Sequence, residues 1–192
     1  GTLDGDLVAL DAKDGIERWS VHVGDNPTGH AITAAPLVAD GKVVVGISGG
    51  DGPTRGFVAA FDPDTGKEVW RCYTIPAPGE PGSETWPAGD QWKTGGGATW
   101  VTGNYDPETN LLFWGVGNGN PWVASEREGD NLYTASTIAI DAATGAIKGH
   151  FQYTPNEAWD FDEVAPPLLI DFQRNGRTIR GLVDFTRSGY LY

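Results

Sequence analysis

Short runs of alternating apolar and polar residues recur along this chain, each broken by a turn. "LVALDAKDGIERW" (7–19) starts as such a run, bends at an Asp and a Gly, and resumes as a second short run. The same outline returns as "FVAAFDPDTGKEVW" (57–70), more loosely as "VTGNYDPETNLLFW" (101–114), and again as "STIAIDAATGAIKG" (136–149). A period near two predicts strands rather than helices. An Asp followed by Gly or Asn predicts a tight hairpin, because the carboxylate bonds amides ahead of it and Gly takes the positive φ of the bend. In the first three copies a Trp stands eight residues after the Asp, at Trp19, Trp70 and Trp114; the fourth has Gly149 there. Helical periodicity is absent, and "TWPAGDQWKTGGG" (85–97) reads as a long loop between strands.

The four turn aspartates, Asp11, Asp62, Asp106 and Asp141, lie 51, 44 and 35 residues apart. That interval is near the period of a four-stranded propeller blade, so the repeat predicts an all-β propeller with about four blades over residues 1–192. The recurrent Trp is expected to pack neighbouring blades together. An immunoglobulin-like sandwich gives no reason for such a repeat.

Composition narrows the function. With 28 Gly, 13 Pro and 8 Trp among 192 residues, the chain is turn-rich and aromatic. A net charge of −13 argues against a nucleic-acid surface. One cysteine, Cys72, cannot make an internal disulfide, and no apolar run has the length of a membrane span. The chain lacks Met and ends on "SGYLY", so it is expected to be an internal part of a larger ring, truncated at both ends.

Chemistry is expected where the repeat is broken. "GISGGDGPTRG" (46–56) surrounds Ser48 and Asp51 with glycines, which suits either an ordinary hairpin loop or a close approach to a ligand. "KTGGGATW" (93–100) sets Trp100 beside a stripped backbone, as a floor for a flat ring or as core packing. "GVGNGNPW" (115–122) holds Asn118, a turn residue or a hard-cation ligand. "TPNEAWDFDE" (154–163) gathers Glu157, Asp160, Asp162 and Glu163 with no Lys or Arg beside them in sequence. A solvated loop accounts for that charge, and so does a site that holds a cation.

In this order, "GGGATW", "GVGNGNPW" and "TPNEAWDFD" resemble signatures of the quinoprotein alcohol dehydrogenases, the methanol/ethanol dehydrogenase family that uses pyrroloquinoline quinone (PQQ). The resemblance covers essentially the whole chain and implies part of an eight-bladed propeller. It implies that Trp100 underlies the quinone and that Arg187 hydrogen-bonds its reactive carbonyl. Thr33 and Ser48 would meet the cofactor's carboxylates, with Gly49 and Gly50 close to the ring. Asn118, Asp51, Asp160 and Asp162 would bind the metal, with Asp160 also the base that takes the alcohol proton as hydride passes to PQQ.

Two departures stand out: Asp51 replaces the family's usual metal-binding Glu, and Ala98 replaces a common Thr. Asp162 resembles the lanthanide-dependent members, where calcium-dependent ones typically carry Ala, so the expected metal is a lanthanide(III) or Ca2+. The resemblance further implies a small primary alcohol as substrate, a c-type cytochrome as electron acceptor, a periplasmic location and a possible homodimer of the full-length protein. A non-enzymatic propeller scaffold and a quinoprotein acting on sugars or polyols are the alternative readings.

Overall fold

A computed structural model describes residues 1–25 and 28–192. The first repeat copy forms β1 (Asp6–Leu10) and β2 (Glu17–His22), a two-stranded sheet. An antiparallel four-stranded sheet follows, made of β3 (Leu37–Ala39), β4 (Lys42–Gly46), β5 (Phe57–Phe61) and β6 (Glu68–Tyr73). A second four-stranded sheet holds β7 (Asn104–Asp106), β8 (Leu111–Val116), β9 (Ser136–Asp141) and β10 (Ile147–Gln152). The last pair is β11 (Leu168–Arg174) with β12 (Arg177–Val183). In every sheet, consecutive strands are neighbours. Among the described residues there is no α-helix, and the 85–97 loop carries only short 3-10 turns.

The four repeat copies do not fall one to a sheet. The third and fourth are the adjacent hairpins β7–β8 and β9–β10 of a single sheet. The described residues thus build two four-stranded sheets flanked by two strand pairs. The turn grammar is the same in all copies: Asp11 Oδ1 accepts from Lys13 N–H at 2.9 Å, Asp62 from Thr65 at 2.8 Å, Asp106 from Glu108 at 3.1 Å and Asp141 from Thr144 at 3.0 Å. That grammar specifies a hairpin and carries no information on which hairpin of a sheet it is.

The tryptophans do distinguish them. Trp19 donates its indole N–H to Pro63 O at 2.9 Å and packs on Gly66, where a Cβ would come within 2.7 Å of the ring. Trp70 does the same one sheet further on, donating to Ala142 O at 3.0 Å over Gly145, where a Cβ would sit 2.8 Å from the ring. Both glycines are at positive φ, 71° and 76°, so each is required twice, by its turn and by the ring above it. Trp114 is fully buried and donates to Thr99 O at 3.1 Å instead.

Burial on both faces explains why "KVVVG" and "FVAAF" are continuously apolar. Val45, Phe57, Ala59 and Phe61 face Leu7 of β1, Val23 just after β2 and Ile32 in the connection to β3. Val44, Val58 and Ala60 face Leu112, Trp114, Val116, Ile138 and Ile140 of the next sheet. Cys72 lies in this second core, and burial pushes its thiol up to about 12.

Trp70→Ala should therefore destabilise by about 3–5 kcal/mol, the range for emptying a large aromatic site, read as a lower urea midpoint at unchanged slope. Native Cys72 should resist thiol reagents at neutral pH and react at the rate of a free thiol once urea unfolds the chain; fast labelling of the native protein contradicts this burial.

Candidate active site

The segment 96–100 threads between the two four-stranded sheets and brings the pattern-breaking stretches together. Thr99 N–H donates to Ile47 O at 2.8 Å, Gly97 N–H to Asn118 O at 2.8 Å, and Gly117 N–H to Ala98 O at 2.8 Å. The glycines of "GGG" serve this threading. A Cβ on Gly96 would sit 2.8 Å from Asn118 O, and one on Gly97 would sit 2.7 Å from Ile75 Cδ1. Trp100 follows in the segment that leads to β7 rather than within a strand. Beside it, an antiparallel bridge between Val116 and Glu163 lays the acidic stretch along the end of β8.

Gly50, Trp100, Asn118, Asp160, Asp162 and Arg187 consequently share one end of the sheets. Asn118 is buried, and its backbone N–H donates to Asp162 Oδ1 at 3.2 Å. Gly50 lies opposite, where a Cβ would meet Ala98 Cβ at 2.9 Å and Asn118 Oδ1 at 3.5 Å. Arg187 is exposed, and its backbone N–H donates to Glu163 Oε2 at 3.2 Å. Thr33 reaches the group indirectly, donating from Oγ1 to Trp100 O at 3.3 Å. The Ser48 hydroxyl donates to Ala31 O at 2.8 Å, and Gly49 turns at φ 107° against Gly29. Asp51 is exposed, and its charge acts on Asp160.

Asp160 is the least comfortable residue of the set. Its φ of 61° lies in the left-handed region, and its Oδ1 is buried without a hydrogen-bond partner. Burial, reinforced by the charges of Asp51 and Glu157, raises its pKa, while Arg187 opposes the shift. Asp162 is raised by burial too, with the Asn118 amide and the Trp100 indole acting against it. Glu163 behaves alike, and its buried Oε1 has no partner. Two orphaned carboxylate acceptors at one point are the mark of a site built for something other than stability.

The donors suit a hard cation, although among the described residues no three His, Cys, Asp or Glu side chains form a ready metal cluster. The hydrogen-bond partners around it assign the Asn118 amide one orientation, although it could turn over to bind an ion. With its nitrogen towards Asp162 it donates to Oδ1 at 3.2 Å, and its oxygen accepts from Trp122 Nε1 at 2.6 Å. Reversed, its oxygen faces the Asp162 carboxylate as acceptor to acceptor, an arrangement that a cation coordinated by oxygens reconciles.

Arg127 carries no sequence signal. It is buried, as is Glu157, and the cations missing beside "TPNEAWDFDE" in sequence arrive from a distance: Arg127 feels the charge of Glu157, and Arg187 acts on Asp160. Trp122 could have been read from "NPW", which sets it four residues after Asn118, within reach of the amide.

Residues 1–192 match the model of a PQQ family described as "Glucose/ethanol/alcohol dehydrogenase, beta-propeller domain". The chain belongs to this family. It is 39% identical to the quinoprotein alcohol dehydrogenase PedH of Pseudomonas putida, over 100% of this chain and 35% of that protein. It is 40% identical to the lanthanide-dependent methanol dehydrogenase of Methylacidiphilum fumariolicum, over 100% of this chain and 34% of the relative. A europium-containing methanol dehydrogenase of known structure superposes with a TM-score of 0.92 at 38% identity, over 99% of this chain and 36% of that one. The chain spans about a third of the length of the curated relatives it matches.

Glu163 gives a pH test in metal-free protein. Its folded pKa is raised above the ordinary 4.5, so the stability it contributes is full below the unfolded pKa and is lost as pH rises through the folded one. Glu163→Gln should stabilise the metal-free protein at neutral pH, and the gain should fade below about pH 4. A gain equal at both pH values, by thermal unfolding, contradicts the burial argument.

Proposed function

We propose that this chain is the cofactor-bearing part of a PQQ- and metal-dependent dehydrogenase that oxidises a small primary alcohol to its aldehyde. The observation that carries the reading is Asp160: a carboxylate with a buried, unpartnered Oδ1, next to Asn118, Asp162 and Arg187. When bound, PQQ supplies the electron-accepting quinone and the metal supplies Lewis acidity. Asp160 takes the alcohol proton at Oδ1, and the raised pKa makes it a stronger base than a solvated Asp. The charge of Arg187 opposes the rise in the Asp160 pKa, and its guanidinium would serve as donor to the cofactor. Trp100 provides the stacking face, with Thr33 fixing its backbone. Asn118, Asp160 and Asp162, with Asp51 from the facing loop, hold the metal. The extra carboxylate of Asp162 favours a lanthanide(III) over Ca2+, since a trivalent ion gains more from one more negative ligand.

We further propose a periplasmic location and a homodimer of the whole protein, and a c-type cytochrome as electron acceptor, in keeping with quinohemoprotein relatives from Pseudomonas putida. Against a non-enzymatic scaffold stands the gathering of uncompensated buried carboxylates, which a purely structural propeller has no use for.

The test is parallel turnover of the full-length protein loaded with PQQ and either a light lanthanide or calcium. Asp160→Asn should lower turnover by about 10²–10⁴ while PQQ stays bound. The substitution is clean, because Asn tolerates the left-handed backbone. Asp162→Ala should cut lanthanide-supported turnover strongly and spare calcium-supported turnover. Wild-type rates from Asp160→Asn would remove the base, and equal losses with both ions from Asp162→Ala would remove the lanthanide preference.

A further inference from the structure

Arg127 is fully buried, yet it lies on neither the cofactor face nor the repeat. Its hydrogen-bond acceptors are all neutral and sit on three separate segments. Nε donates to Pro121 O at 2.7 Å, Nη1 to Asn131 Oδ1 at 2.7 Å, and Nη2 to Glu157 O. Its guanidinium also lies against Gly119, where a Cβ would come within 2.7 Å of Cζ. Gly119 and Pro121 belong to the turn that carries Asn118, and Glu157 to the turn that carries Asp160 and Asp162. Asn131 is fixed in its own right by Asn156, whose Nδ2 donates to Asn131 Oδ1 at 3.0 Å and to Arg127 O at 2.9 Å.

Burying a guanidinium is expensive, and an apolar side chain of like volume fills such a space more cheaply. What an apolar side chain lacks is a planar fork with several fixed donors, each reaching a different strand of backbone. From this geometry we infer that Arg127 is a positioning residue, whose guanidinium fixes the separation between the Asn118 turn and the Asp160–Asp162 turn and thereby the affinity of the site for a hard cation. The inference rests on the metal-dependent reading of that site, and it assigns Arg127 no contact with metal, cofactor or substrate.

The experiment uses full-length protein stripped of metal and titrated with lanthanum(III), followed by tryptophan fluorescence, with thermal unfolding of the metal-free form alongside. Arg127→Met should raise the lanthanum midpoint by about 10–100-fold, the range seen when groups that orient metal ligands are removed. Arg127→Lys keeps the charge without the fork and should fall between Met and wild type. A merely structural Arg127 would lower the unfolding temperature and leave the midpoint of the folded protein in place. Midpoints within about threefold of wild type overturn the inference. If Arg127→Met does not fold, the Lys variant decides on the same threshold. A wild-type protein that responds to neither lanthanum nor calcium sinks the metal reading itself, and this inference with it.

Discussion

An indole against a glycine spaces the sheets of this protein. Trp19 over Gly66 and Trp70 over Gly145 each carry one hydrogen bond from ring to turn, so the approach is fixed in direction as well as distance. Any larger residue at either glycine would push the next sheet away. The two apolar clusters then fill a gap of set width, and the segment 96–100 finds backbone partners on both sides at once. The site inherits its geometry from that threading, since Asn118 and Gly50 meet across it.

Much of this was legible in the chain. Strands, turns and the docking Trp follow from period-two alternation and from Asp and Gly at fixed offsets, all local properties. The assignment of copies to sheets was not, because Trp114 stands at the repeat's offset and yet lies in the core between the two four-stranded sheets, bonded to Thr99. At the site, the acidic stretch and Asn118 announced themselves by breaking the pattern. The glycines of "GGG" were visible as a stripped backbone, but their reason, a strand passing between two others, is non-local. Arg127 was silent for the same cause: nothing in "SEREGD" tells that one of its charges is drawn wholly inside.

Electrostatics at the site run against stability throughout. Asp160, Asp162 and Glu163 are each held in surroundings that disfavour their charge. The guanidinium of Arg187, brought from elsewhere in the chain, offsets part of that. An arrangement of this kind stores a demand for positive charge at one defined place, and a protein that merely needed to be stable has cheaper ways to fill the same volume.

The left-handed backbone at Asp160 narrows what evolution or a designer can do there. Only Gly, Asn and Asp visit that region readily, so a longer acid such as Glu is opposed by the main chain before its side chain is considered. On the proposed reading, retuning of base strength or metal preference would come from substitutions around Asp160, at positions such as 51, 98 and 162. The neighbours of the aspartate, rather than the aspartate itself, become the place to alter the preferred ion.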